Sequence, residues 1–467
     1  MTCCGRRRVG PQRGPLLVKI MAIVSPFRGW RYQPGKIERY EEVLAPPYDV
    51  IDPEHQRRLH QLHPYNVVRL ILGETLPHDN EEDNRYSRAA AWLTNWIQHG
   101  ILIQDPTPRI YLHHQTFEGF DGRRLVRRGF IALLRLEPLG GGTVFPHEET
   151  FPKHKEDRLR LLRACRAHFN PIFALYSDPD RELAPFLNAP AAPPEIRVED
   201  QHGVTHELWG ISEPESLAAV RRAMASRAVF IADGHHRYET CLAYMEERRR
   251  QDERKDPEAP FNWTLMYFTP MEEEGLLILP THKLVQGLQG FDPERFLQAV
   301  RRRFTLLDWP LSLNPDPTAW MEQMKALCRE GETGIAIGLV LHGEPRFRVL
   351  KPRDRHRIPA PLSRMPSCLQ GLDVTWLHEV LLRDHLGIDV ADPGDEHLSY
   401  LHDPVEAIRR ALEGEVQMAF LMNPVRVKDL QAVALAGCKM PQKATYFYPK
   451  LLSGLVINIM DRKGIGG

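Results

Sequence analysis

Residues 228–249 read AVFIADGHHRYETCLAYMEERR, and this stretch restricts the fold more tightly than any other part of the chain. Its opening is a short apolar run with β-branched residues, the pattern of a buried strand. Past Asp233 and Gly234 the period changes. Tyr238, Cys241, Leu242 and Met245 recur at spacings of three and four, the stripe of a helix that packs through one face. The pattern predicts a strand, a tight corner and a helix, with Cys241 in the core. Asp233, Gly234, His235, His236 and Arg237 then fall at the helix start, where free N–H donors and partial positive charge favour an anion by ~0.3 to 1 kcal/mol. Gly234 lets the backbone approach closely, and two imidazoles with a guanidinium add charge-assisted donors. The group has the outline of a phosphate cradle. Equally, these side chains can cap the helix and pair with Asp233 or Glu239. Zinc is disfavoured, because adjacent histidines diverge on a helix and neither an HExxH motif nor a cysteine partner follows.

A second cluster lies upstream, in FPHEETFPKHKEDRLRLLRACRAHF at 145–169. His147, Glu148 and Glu149 occupy a proline-bounded loop, where a carboxylate can be aimed at a bound hydroxyl as general base. The helix that follows carries Leu162, Cys165 and Phe169 on one stripe, with Arg158 among them. A guanidinium in that position must be paired, either with Asp157 or with a ligand. Lys155, Arg160, Arg163 and Arg166 read as solvated charge. In APPYDV (45–50) two prolines fix an extended loop that presents Tyr48 and Asp49 as substrate or metal contacts, or as a turn. PFRGWRY and TYFYPK interleave aromatics with Arg28, Arg31, Lys443 and Lys450, a composition that can stack a base but also suits core and turn packing.

The surroundings of these motifs are those of a globular α/β protein. The 467 residues leave room for two or three domains. Lys+Arg and Asp+Glu both number 61, so no overall field draws the chain to nucleic acid or to an anionic membrane. The best apolar run, LLVKIMAIV (16–24), is too short to span a bilayer and contains Lys19. Seven cysteines without CxxC spacing suit a reducing cytoplasm. Strands are expected at 129–136, 228–233, 264–271, 333–341 and 416–422, and helices at 86–97, 292–304 and 373–386, the last stopped by Gly387. Proline-rich breaks lie near 178–207, 250–261 and 343–366. The expected division is an arginine-rich extension (1–20) outside the fold, an N-terminal α/β lobe (21–140), a central core (141–290) with a proline-rich excursion or linker near 178–207, and a C-terminal α/β lobe (291–467). The class is mixed α/β, or α+β.

The string DGHHRYET (233–240) resembles the nucleotide-phosphate motif of the ParB/sulfiredoxin superfamily. Sulfiredoxins carry a catalytic cysteine where this chain has His235, so sulfinic-acid reduction loses its nucleophile here. Free serine kinases of the SerK type have a closer DGHHR form and a PHEE-like loop whose glutamate activates the serine hydroxyl, and Pro146-His147-Glu148-Glu149 looks like that loop. From Met21 onward, PFRGWRY, APPYDVID, YNVVRL, KEDRLRLLRA and KATYFYPKLLSGLV are similar to a prokaryotic family known as domain of unknown function ten-fifteen. The resemblance implies a ParB/sulfiredoxin-like nucleotide-binding core with additional α/β lobes. It implies a cytoplasmic kinase of serine metabolism that transfers phosphate from ATP or ADP, with Mg2+, to the hydroxyl of free serine or a similar metabolite. In that scheme Glu148, Asp233 and His235 are catalytic, and Gly234, His236 and Arg237 hold the phosphates with Arg158 as an added cation. His147, Glu149, Asp49 and Tyr48 are substrate contacts. No protein metal site is expected; magnesium rides on the phosphates, with Asp233 to orient it or the loop. Two rivals are a ParB-like nucleotide-hydrolysing switch and a non-catalytic protein that binds a phosphorylated metabolite.

Overall fold

In the computed structural model, which describes residues 22–460 apart from 120–121, 141, 151, 312–315, 355–357, 391–395 and 442, the apolar runs up to residue 270 join one nine-stranded sheet. Its strands are β1 (Val24–Ser25), β2 (Ile110–Glu118), β3 (Arg124–Arg135), β4 (Val144–Phe145), β5 (Ile172–Tyr176), β6 (Ile196–Glu199), β7 (Thr205–Ile211), β8 (Val229–Asp233) and β9 (Trp263–Pro270). The order across the sheet is β4-β8-β5-β9-β3-β2-β7-β6, with β1 paired to the end of β3. β8 runs parallel to β4 and β9 parallel to β5, while the remaining ladders are antiparallel. β9 is buried along its whole length because both faces are covered, which is why its sequence is apolar without alternation. One face receives α3 (His235–Gln251) through Tyr238, Cys241 and Met245. α3 packs on α2 (Pro152–Cys165), which in turn packs on α1 (Arg85–Gln98).

A second sheet holds six antiparallel strands, β10 (His282–Val285), β11 (Phe304–Pro310), β12 (Ile337–Leu341), β13 (Arg346–Pro352), β14 (Leu398–Leu401) and β15 (Met418–Leu421), in the order β11-β13-β12-β15-β10-β14. Helices α4 (Pro317–Glu332) and α5 (Pro404–Glu413) cover one face with Trp320, Leu327, Ile408 and Ala411. The chain then returns to the first sheet. Tyr446–Tyr448 pairs with Leu277–Leu279, Ser453 bridges to Ala45, Ile457 to Trp30, and Asn458–Ile459 to Ala167–His168. This return carries residues 443–450 to the carboxyl end of β8.

The class is mixed α/β, as expected, and the helix ending at Gly387 closes there in the left-handed region at φ 72°. Three boundaries differ. The 140/141 division cuts through one sheet, since β3 and β9 share a hydrogen-bonded ladder across it. β10 already belongs to the second sheet although it precedes residue 291. The 178–207 stretch is no linker: Ile196 and Val198 face inward and Arg197 and Glu199 outward, so it supplies edge strand β6 and the start of β7. Likewise β13 falls inside the 343–366 break, because its Phe347, Val349 and Leu350 fill the second core. The strand expected at 333–341 starts only at Ile337. The extension at 1–20 lies outside the described residues.

Candidate functional site

β8 ends at Asp233, and α3 starts at His235 with Gly234 as its N-cap. Gly234 has φ 95°, and a Cβ there would lie 2.9 Å from the Arg237 guanidinium carbon, so the corner needs glycine twice over. The Asp233 carboxylate has Lys450 Nζ at 3.4 Å and Arg237 Nη2 at 3.5 Å. Burial alone would raise this carboxyl, and the two cations overcome it, holding it well below the usual carboxylate range. Arg237 is further committed: Nη1 donates to Asn170 Oδ1 and, at 2.6 Å, to Pro171 O.

Because β4 runs parallel to β8, the loop after it arrives at the same corner. There His147 and His235 meet edge to face at 4.6 Å between ring centres. His147 Nδ1–H donates to Ile231 O at 2.7 Å and its Nε2 accepts from the Thr445 hydroxyl at 3.1 Å. The His147 backbone N–H donates to His235 Nε2 at 3.3 Å, which assigns the proton of His235 to Nδ1, 3.5 Å from Glu148 Oε2. Burial pushes His147 down to about 4 and His235 well below its ordinary range, so both rings are neutral at pH 7. Glu148 keeps a 36% exposed side chain, yet the desolvation of its carboxyl, followed by the negative charge of Asp233, pushes it up to about 7. Thr150 Oγ1 and Lys155 Nζ both donate to Glu239, at 2.6 and 2.9 Å, and tie this loop to α3.

Lys450 is fixed from behind. Gln115 Nε2 donates to its carbonyl at 3.0 Å, and Asn170 Nδ2 donates to the next carbonyl, Leu451 O, at 3.0 Å. Arg127, fully buried and stacked on Phe173 at 4.5 Å, donates to Tyr448 O at 3.2 Å and to Pro449 O. A cleft of about 800 Å³ opens beside Lys450, lined by Tyr446, Tyr448, His402 and Asp200, with the His402 ring stacked on Tyr446 at 3.8 Å. That volume accommodates a nucleotide-sized ligand.

The structure therefore brings Glu148, Asp233, Gly234, His235 and Arg237 together, with His236 half-buried on the first helical turn. Asp49 is exposed, and its charge acts on both Glu148 and Lys450. Glu149 is exposed on the same loop. Two expectations are corrected. His147 is 1% exposed with both ring nitrogens bonded, so it supports the corner and has no donor or acceptor left for substrate. Arg158 takes the structural one of its two expected partners: it donates to Asp157 and, at 2.7 Å, to Ile71 O, while Tyr48 covers its face at 3.9 Å. Beside Asp233 the cation that joins Arg237 is Lys450. Arg28 and Arg31 are held by Asp105, away from this corner. Lys450 and Thr445 stand out in sequence only as parts of one basic-aromatic string, and nothing marks Arg127.

The family model for proteins of unknown function, DUF1015, matches residues 24–375. The chain belongs to this family. The matched span runs from β1 through β13 and includes the whole first sheet. No curated protein matches the chain in sequence. Among solved structures it is similar to a free serine kinase in complex with AMP, at 14% identity over 67% of this chain and 88% of that one, TM-score 0.31. It is also similar to a conserved hypothetical protein from Pyrococcus furiosus, at 13% identity over 66% and 90%, TM-score 0.30. A third is SbnI with C-terminal truncation from Staphylococcus aureus, at 13% identity over 69% and 85%, TM-score 0.32.

Proposed function

We propose that this family member is a nucleotide-dependent phosphotransferase that moves a phosphoryl group from ATP or ADP to the hydroxyl of free serine or a similar small metabolite. The observation that carries the proposal is Glu148, a partly exposed carboxyl poised near neutrality at the corner where Lys450 and Arg237 converge on Asp233. A general base works best when its pKa lies near the operating pH. The acceptor hydroxyl would hydrogen-bond Glu148 and give up its proton to that carboxylate as the oxygen attacks the terminal phosphorus, and the shortened nucleotide leaves. Backbone N–H groups at the start of α3 receive phosphate oxygens, and Lys450 and Arg237 neutralise the charge that builds there. Asp233 acts through these cations. His235, neutral with its proton on Nδ1 3.5 Å from Glu148 Oε2, faces the base. Magnesium would come with the nucleotide phosphates and supply further charge neutralisation. A cytoplasmic site of action belongs to the same proposal; among the described residues no helix is long and apolar enough to cross a membrane.

Phosphorus NMR of the protein with ATP or ADP, magnesium and an amino-acid mixture tests this. Donor loss that depends on serine, together with a new phosphate ester, is the expected result. Hydrolysis without an acceptor would mark a nucleotide switch instead, and binding without turnover a non-catalytic protein. Glu148→Gln should keep nucleotide binding and lower turnover by ~100-fold or more. Unchanged turnover removes Glu148 from the role.

A further inference from the structure

Beside the second sheet lies a separate, partly open cavity of about 260 Å³ whose lining includes Thr281, Lys283, Asp373 and Asn423, with Glu332, Arg426 and Asp429 as its other charged residues. Lys283 is 1% exposed, and its ammonium donates to two backbone carbonyls, Thr281 O at 2.9 Å and Lys443 O at 3.2 Å. Among the described residues no carboxylate lies within ion-pair distance of it. Asp373 accepts from Asn423 Nδ2 at 2.8 Å and from Ala336 N at 3.3 Å, and it too has no ion-pair partner among those residues. Two further polar atoms in the wall, Thr281 Oγ1 and Asn423 Oδ1, are buried with no hydrogen-bond partner among the described residues. Each such group costs free energy unless something occupies the space before it. A methionine at 283 would remove the desolvation of the ammonium but would leave Thr281 O and Lys443 O without their donor, and neither carbonyl uses the ammonium's third N–H.

The cavity thus offers a cation with a spare donor and a hydroxyl at one place, and a carboxyl with a bare carbonyl oxygen at another. We propose that it binds a small zwitterionic metabolite, whose acidic group is taken by Lys283 Nζ and the Thr281 hydroxyl and whose amino group is taken by the Asp373 carboxylate and Asn423 Oδ1. Burial pushes Lys283 down to about 7 and Asp373 up to about 6, so both are partly neutral in the empty cavity and a zwitterion draws each into its charged form. The volume admits a molecule of amino-acid size. Opposite charges on the ligand also discriminate against simple acids and simple amines, each of which would leave one wall group unpaired.

Isothermal titration calorimetry on the full chain tests this with a series of ω-amino acids from β-alanine to 6-aminohexanoate, each run beside the monoacid and the monoamine of equal length. The expected result is one preferred length, with the singly charged analogues roughly 10- to 100-fold weaker. Asp373→Asn should weaken the amino acid while leaving its matched monoacid unchanged. Lys283→Met should weaken both, and Thr281→Val should do so to a smaller degree. Glu148→Gln should leave all these affinities as they are, which separates this cavity from the phosphotransfer corner. The proposal falls if no member of the series binds, or if the singly charged analogues bind as well as the amino acids. It also falls if Asp373→Asn and Thr281→Val bind like the parent, a criterion that stands even where Lys283→Met fails to fold.

Discussion

Two lysines, Lys450 beside the end of β8 and Lys283 in the second sheet, are both withdrawn from water, and their ammonium groups are shifted in opposite directions. Burial opposes the charge on each. At Lys450 the Asp233 carboxylate 3.4 Å away, with Asp49 beyond it, overcomes that opposition and raises the ammonium above its ordinary range. At Lys283 two carbonyl dipoles are the available partners, and burial pushes it down to about 7. A full counter-charge, more than depth, decides whether a buried lysine stays a cation. The first corner keeps a permanent positive charge, suited to phosphate. The second cavity keeps a conditional one, suited to recognition.

Changing pH separates the two most strongly. The folded-state pKa of Lys283 lies below its unfolded value of 10.5, so between about 7 and 10.5 the unfolded chain binds one more proton than the folded one. Stability should therefore rise with pH across that window, by roughly 3 to 4 kcal/mol from pH 7 to pH 10 relative to Lys283→Met, and the difference should flatten below pH 7. Urea unfolding of both proteins at several pH values measures this; a pH-independent difference would mean that Lys283 is charged like Lys450. The complementary change, Lys450→Met, strips Asp233 of its closer cation while Arg237 remains. Breaking a buried pair in this way should cost about 2 to 3 kcal/mol in the same assay, and adding Asp233→Asn should restore part of it. If the single change is silent, the pair contributes nothing to holding the corner. The smallest effect concerns the base. In the phosphotransfer assay kcat/KM should rise with pH and level off above about 7 as Glu148 ionises, and Asp233→Asn should move that rise to lower pH by removing a neighbouring negative charge. A profile that stays in place in the variant would dissociate Glu148 from Asp233.

What could be read in the chain before its structure follows the range of the interactions involved. The strand, corner and helix around Gly234 were legible because the apolar period itself changes there, and the loop of Glu148 because its prolines and paired carboxylates are contiguous. The ladder that makes residues 24 to 270 one sheet was not legible, since hydrogen bonding between β3 and β9 leaves no mark in either segment alone. Edge strand β6 was masked by the prolines that precede it, Pro190, Pro193 and Pro194, although Ile196 and Val198 alternate correctly with charged neighbours. Arg158 could be recognised as needing a partner, but choosing between Asp157 and a ligand required coordinates. Lys450 and Thr445 were out of reach for another reason: their partners lie hundreds of residues upstream, and Arg127, which helps to hold their segment, sits beside Arg128 with nothing in the sequence to set it apart.

The contact of Thr445 with His147 spans 298 residues of chain. A ribosome that has already released β8 and α3 has still to translate the second sheet before it reaches the lysine that Asp233 requires. A polypeptide that stops anywhere between these points has Glu148 and the glycine corner but lacks the ammonium beside Asp233, so closure of this corner waits until residues 443–450 have been translated.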